Sequence, residues 1–294
     1  WMLNNSYNGV KVLLSDGKWV SMSNTACQNL ERSKDLLISV SNPNVKFVSS
    51  IRNGIGVFDD KGTIEDQSDD RAVLLVEFRD IAGNTHTLDR VSSFIQTPSG
   101  VLLIGTETGL YRIDSPEELL NGNSLCIPVA LSIPQEGRED IFAAENIRSL
   151  AIGEQGYIWV GTQYSGVYCV SADLTEVVNH FSIDNSPMPS NDILSLCWVE
   201  SLRHLFIGTS EGLVEYAPEE LDEGLKSINE RDTEPEEGSM QRWRLHLSYL
   251  NPTEIAATGQ GIFAVANGSL FSVDKEDDRI VYWNKATGLN GIGV

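Results

Sequence analysis

The side chains best suited to proton transfer, metal ligation or nucleophilic attack in this chain are four histidines and four cysteines. His86, His180, His204 and His246 stand far apart, with no His-Glu-x-x-His and no carboxylate at metal-ligand spacing. His180 and His246 fall where outer strands are expected and His204 at a strand entry, positions that favour packing or surface roles. Cys27, Cys126, Cys169 and Cys197 form no Cys-x-x-Cys pair and are too scattered for a disulfide framework. Neither a Gly-x-Ser-x-Gly elbow nor a Gly-x-x-x-x-Gly-Lys-Ser/Thr loop occurs. Asp59-Asp60-Lys61-Gly62 and Lys275-Glu276-Asp277-Asp278 match calcium loops in composition only, and turn chemistry between strands accounts for them equally well. The expectation is a chain with no catalytic constellation, no metal and no cofactor, whose chemistry is recognition.

Recognition needs side chains held at one place, and the elements that hold them recur along the sequence. Strand, short Gly-centred turn and second strand repeat at Val45–Phe58, Val101–Tyr111, Tyr157–Tyr168, His204–Tyr216 and Gly261–Phe271, with a looser copy at Trp1–Val12. Three copies share Ile/Val-Gly-Thr followed by Gly: Gly105-Thr106 with Gly109, Gly161-Thr162 with Gly166, and Gly208-Thr209 with Gly212. An all-strand unit recurring every roughly 45 to 57 residues points to propeller blades. Alternating runs such as Asn146–Ile152 and Asn191–Trp198 supply the innermost strand a, because period-two alternation gives a strand two distinct faces. Strand b ends in Ile/Val-Gly-Thr, strand c opens with Gly, and outer strands d fit at Cys126–Ile133, Val177–Ile183, Trp243–Ser248 and Ile280–Trp283. Trp19, Trp159, Trp198, Trp243 and Trp283 lie on expected strands, where most should be core.

The fold class expected is all-β: a single propeller over residues 1–294, of six four-stranded blades, with room for a seventh in Arg71–His86. The N-terminal blade lacks its own strand a. The segment Asn290–Val294 reads as a strand a with no blade after it, so it is expected to close the ring and hide edge strands. Pro at the first helical position with acids behind it predicts short surface helices near 115–121 and 217–224. The acidic stretch at 229–240 reads as a solvated loop or linker.

In a propeller the b-to-c turns and d-to-a connections meet at one end. The candidate ligand-binding residues are therefore the turn residues Asn5 and Tyr7, Arg52 and Asn53, and Glu107 in the first half of the chain. In the second half they are Gln163 and Tyr164, Ser210 and Glu211, and Asn267. Polar groups beside two tyrosines and an arginine suit a saccharide or an extended peptide. Forty-two acidic against 21 basic residues give a net charge of −21, which repels nucleic acid and anionic membrane surfaces. No run approaches the roughly 18 apolar residues of a membrane helix, and no basic leader opens the sequence, so the chain is expected to be mature, trimmed or excised and not to insert in a membrane.

The repeats "NIRSLAIGEQGYIWVGTQYSGVYCV" and "NDILSLCWVESLRHLFIGTSEGLVEY" resemble the two-component-regulator type of propeller repeat, which builds periplasmic sensor regions of Bacteroidetes hybrid histidine kinases. The segment from Gln241 to Val294 is similar to the opening blade of PorZ-type proteins, two-propeller surface or periplasmic proteins associated with type IX secretion. In that family the Trp-Arg…Ser-Tyr module comes first, whereas here Trp243–Val294 comes last, so the order reads as permuted, with the join in Glu234–Met240. The resemblance implies a periplasmic or cell-surface, non-catalytic interaction propeller binding an envelope or secretion-system protein or a surface glycan. The alternatives are the ligand-sensing propeller of a hybrid two-component system, and a propeller lyase acting on a polysaccharide.

Overall fold

The computed structural model describes residues 1–3, 9–28, 32–50, 52, 54–88, 90–123, 125–134, 137–218, 242–246, 252–259, 261–266, 269–275 and 280–283. They form two compact units, Trp1–Ala130 with Phe142–Ile147, and Leu131–Ile141 with Arg148–Val294.

In the first unit, β1 (Met2–Leu3), β2 (Val10–Leu13) and β3 (Trp19–Ser21) make a three-stranded antiparallel sheet. The segment expected to add its fourth strand, Asn290–Val294, lies outside the described residues. Val10 and Val12 face Met22, the short helix α1 (Thr25–Gln28), Val48 and Phe58, and this face is buried. Met2, Leu13 and Trp19 belong to the other face and are 50%, 51% and 48% exposed. The expectation of a core role therefore fails at Trp19: pairing with Leu13 puts it on the side of the sheet that α1 does not cover.

The second sheet follows as β4 (Ser33–Ile38), β5 (Val45–Ser50), β6 (Ile55–Asp59) and β7 (Arg71–Leu75). β5 and β6 are buried along their whole length, which is why they read as continuous runs and not as alternation. β7 is the outer strand of this sheet, and the rest of the Arg71–His86 stretch makes only a hairpin, β8 (Glu77–Arg79) with β9 (Thr85–Thr87). That stretch therefore holds no seventh unit. Asp59-Asp60-Lys61-Gly62 is a turn, as its composition allowed. Asp60 is buried in an ion pair with Lys46 and accepts from Gly62 N at 3.0 Å, so its carboxylate is committed to structure.

The third sheet is β10 (Ser93–Gln96), β11 (Leu102–Thr106), β12 (Gly109–Ile113) and β13 (Ile127–Pro128). The outer strand expected over Cys126–Ile133 pairs through only two residues, and Pro128 brings no N–H to the ladder. The expected helix after β12 is a 3-10 turn, Pro116–Asn121, stopped by Gly122 at φ +84°. The second expected helix, like the acidic stretch behind it, lies almost wholly outside the described residues.

The second unit repeats the pattern. β14 (Ile147–Ile152, whose first residue belongs to the first unit), β15 (Ile158–Thr162), β16 (Val167–Val170) and β17 (Val177–Phe181) form one sheet. β18 (Ile193–Val199), β19 (His204–Thr209), β20 (Gly212–Tyr216) and β21 (Trp243–His246) form the next. β22 (Pro252–Ala257), β23 (Gly261–Ala266), β24 (Ser269–Asp274) and β25 (Ile280–Trp283) form the last. Trp159, 1% exposed, packs with Phe181, Tyr216 and Trp243 in the core of this unit.

The glycine of each Ile/Val-Gly-Thr motif has a steric reason. A Cβ at Gly105 would stand 2.6 Å from Ile147 Cγ2, one at Gly161 2.6 Å from Ile193 Cγ2, and one at Gly208 2.5 Å from Ser195 Oγ and 3.0 Å from Pro252 Cγ. Each glycine is thus the seat on which the first residue of the next strand a rests. A second contact joins neighbouring inner strands: Leu196 N donates to Ser149 Oγ at 2.9 Å, and Phe94 N donates to Asp35 Oδ2 at 3.3 Å.

Asp35 places a carboxylate where Ser149 places a hydroxyl. Burial raises its pKa above the ordinary carboxylate value of about 4, against the lowering effect of the Phe94 and Leu36 N–H groups and of Lys34. The folded state therefore holds this proton more tightly than the unfolded chain does. The stabilisation it brings is present below about pH 4 and is lost as pH rises through the raised folded value. Asp35→Ser is expected to remove that loss: measured by urea unfolding, the variant should gain on the parent between about pH 4 and about pH 7. A stability difference that stays flat over this range would count against the assignment.

Candidate binding site at the turn end

The hydroxyl of the motif threonine sits beneath each b-to-c turn. Thr106, Thr162 and Thr209 are fully buried, and their Oγ1 atoms donate to the carbonyls of Gly109, Gly166 and Gly212 at 3.0, 2.9 and 2.9 Å. The same oxygens accept from turn N–H groups, Thr108 at 3.1 Å, Ser165 at 2.9 Å and Glu211 at 3.2 Å. A threonine therefore suits this position better than a valine of the same shape, because both its donor and its acceptor are used.

In the second unit two of these turns meet the d-to-a connection between β17 and β18. Gly166 N donates to Asn191 O at 3.2 Å, and Ser210 N donates to Asp192 O at 2.9 Å. The two turns carrying Gln163, Tyr164, Ser210 and Glu211 are thus tied to one segment at one end of their sheets, as the strand topology required. Tyr164 is 69% exposed. Ser210 Oγ lies 2.9 Å from Ser190 Oγ, and Asp192 accepts from Arg148 Nη2 at 3.3 Å. Ser190, Asp192 and Arg148 were not anticipated. Asp192 stands in the Asn-x-Ile run that reads as the start of a strand, and nothing in its spacing marks it as part of a surface.

In the first unit Arg52 and Glu107 occupy the corresponding turns. Arg52 N donates to Ser50 Oγ at 3.1 Å, while Glu107 pairs with Arg90 Nη1 at 2.5 Å. The ends of the β5 and β11 strands are linked through the same approach segment, since Val91 N donates to Ser50 O at 3.2 Å and Ser92 N to Gly105 O at 2.9 Å. Asn5, Tyr7, Asn53 and Asn267 lie outside the described residues. A cleft of about 410 Å³ opens elsewhere in this unit, among the a-to-b turns and the start of the 3-10 segment, lined by Val40, Pro98, Ser99, Asp114 and Glu117. Ser39 and Ser41 donate to Glu117 Oε1 at 2.7 and 2.5 Å, so part of its acid is internally satisfied.

One titratable pair of the second unit lies at the opposite end from the turns. His204 Nδ1 is 2.5 Å from Glu215 Oε1, with His204 at the far end of β19 from Thr209. His86 Nε2 is 2.8 Å from Asp80 Oδ2, and this bond, with those from Asn84, lowers the Asp80 pKa. Burial pushes the Cys27 and Cys126 thiols up to about 12, so both are poor thiolates. Among the described residues no three His, Cys, Asp or Glu side chains gather as a metal site.

No protein-family model and no curated protein matches the chain. Solved structures do match. PorZ, an essential bacterial surface component of the type-IX secretion system of Porphyromonas gingivalis, aligns with a TM-score of 0.59 at 17% identity, over 91% of this chain and 40% of PorZ. An extracellular domain assigned to a hybrid two-component system of Bacteroides thetaiotaomicron aligns at 0.61 and 15% identity, over 95% of this chain and 32% of its own. An auxiliary nutrient binding protein from Bacteroides thetaiotaomicron aligns at 0.54 and 11% identity, over 87% and 58%. At these identities the likeness is one of fold. It is the fold of the proteins whose repeats the sequence resembles, and the chain spans well under half the length of the first two.

Thr209→Val removes a fully buried hydroxyl that makes both bonds of its turn while keeping its shape. The variant is expected to lose about 1–2 kcal/mol of unfolding free energy, with the free Gly212 carbonyl and Glu211 N–H as the cause. Equal stability of variant and parent in chemical denaturation would show that water replaces both bonds without cost.

Proposed function

We propose that this chain is a non-catalytic interaction propeller of the bacterial envelope, periplasmic or cell-surface, which binds a protein partner or a surface glycan through its b-to-c turns. The observation that carries the reading is the joining of the Gln163–Tyr164 and Ser210–Glu211 turns to one connecting segment, with the Tyr164 ring standing in solvent. The half-buried Ser210 hydroxyl and Gln163 amide and the exposed Glu211 carboxylate, beside an open aromatic ring, match the hydrogen bonding and stacking that saccharides and extended peptides use. Fold likeness to PorZ and to an extracellular two-component domain supports the location, as analogy. The absence of catalysis is part of the proposal: the pair His204–Glu215 lies at the far end of β19 from its turn, where a polysaccharide lyase would need its acid and base.

The test is a binding screen of the full chain against bacterial surface glycans and envelope proteins, with Tyr164→Ala and Ser210→Ala as variants. Binding is expected in the parent and at least tenfold weaker in Tyr164→Ala, the loss of one aromatic contact. Absence of binding, or binding untouched by both variants, would reject the turn end as the site. Turnover of a bound polysaccharide would reject the non-catalytic reading in favour of a lyase. The sensor reading predicts the same site in a parent chain that also carries a signalling module.

The architecture proposed with this function is one closed propeller of six blades, in which Asn290–Val294 adds the missing inner strand to the three-stranded first sheet. Among the described residues that sheet has three strands, and a closed ring would leave no open inner edge. Deleting residues 290–294 is then expected to lower the unfolding midpoint and to speed amide exchange in β1. A deletion variant with unchanged midpoint and unchanged β1 exchange would mean that the segment closes nothing.

A further inference from the structure

The turn that carries Tyr164 differs from its counterparts. Two residues separate the motif threonine from the glycine in Thr106–Gly109 and in Thr209–Gly212; three do so in Thr162–Gly166. The added residue lengthens the loop and would normally loosen it. The structure holds it at three points. Thr162 Oγ1 binds it from beneath, Asn191 O accepts from Gly166 N, and His180 Nε2 lies 2.6 Å from Ser165 O. A carbonyl oxygen only accepts, so Nε2 is the donor.

His180 is itself well fixed. Its ring stacks on Tyr168 with centroids 4.2 Å apart and planes 4° from parallel, and Tyr168 is fully buried. The Arg138 guanidinium lies 5.6 Å from the Tyr168 ring. Asn185 Nδ2 donates to the His180 carbonyl at 2.9 Å. Gly166 closes the turn at φ +81°, where a Cβ would meet Phe181 O at 2.1 Å. The turn is thus clamped against the outer strand β17 on either side of its tip.

We infer that His180 is the positioning residue of this turn, holding Tyr164 as a preformed contact surface that needs no ordering when a partner arrives. The inference rests on the proposed binding role only for its consequence; the clamp itself is a property of the free chain. An exposed aromatic side chain on a fixed backbone binds without the ordering cost of about 0.5–1.5 kcal/mol per side chain that a loose tip would add.

Amide exchange at Ser165 and Gly166, followed by NMR on the full chain, tests it. His180→Phe keeps a ring to stack on Tyr168 and removes the donor; His180→Gln removes the ring and keeps an N–H near the Nε2 position. Exchange at the two amides is expected to quicken about tenfold in His180→Phe, the equivalent of one lost hydrogen bond, and to return toward the parent rate in His180→Gln. Amides of β15 and β16 should keep their protection in both. Unchanged turn exchange in His180→Phe would overturn the inference, as would equal acceleration in both variants or acceleration spread evenly over β15–β17, either of which makes His180 a packing residue. If the exchange result holds and His180→Phe binds a partner found in the screen as tightly as the parent, the clamp stands and the turn's recognition role falls.

Discussion

A missing side chain organises this molecule. At Gly105, Gly161 and Gly208 the strand carries no Cβ, and into that space comes the first residue of the following inner strand, Ile147, Ile193 or Pro252. An alanine methyl at Gly161 would stand 2.6 Å from a methyl of Ile193, a branched side chain held at its own Cβ and unable to swing aside. The motif therefore specifies a distance between sheets as well as a turn. Strands β11, β15 and β19, which carry these glycines, are buried almost along their whole length, as so close an approach requires.

The residue after each glycine converts that approach into a surface. The threonine hydroxyl, shut away from water, binds the far side of the turn and receives an N–H from its tip. Backbone groups that would otherwise require water are satisfied from within, so the side chains at the tip are free to differ. Glycine and threonine are thus held constant by packing and by hydrogen bonding respectively, while the residues between them, Glu107, Gln163, Tyr164, Ser210 and Glu211, differ from turn to turn. This separation is the physical reason for looking for recognition at the tips of an otherwise repetitive structure.

The same separation explains what could be read from the sequence. Hairpins and their order follow from local patterning around Gly and Thr, and the sheets from β10 to β20 carry it plainly. Hydrogen bonds between inner strands leave no such trace. Ser149 reaching Leu196 N, or Asp35 reaching Phe94 N, joins residues 47 and 59 positions apart through one atom. The exposure of Trp19 depends on which face of the first sheet α1 covers, and the shortness of β13 on one proline in the ladder. His180 was read as packing or surface because its partner, a backbone carbonyl, has no sequence signature at all.

Turn length is the remaining variable, and it bears on how far a tip projects more directly than composition does. A two-residue tip such as Ser210–Glu211 is tight enough for one threonine to fix, but it projects little. Three residues lift Tyr164 into solvent, at the cost of a carbonyl at Ser165 that the threonine cannot reach. The outer strand supplies the donor, and it can do so because His180 is stacked flat on a buried ring and has no other place to turn. Projection and rigidity, which oppose each other in a simple loop, are reconciled here by borrowing a side chain from the neighbouring strand. In the binding role proposed for this turn, a loop of the same length without that donor would present the same residues and bind less well, because the partner would have to order it first.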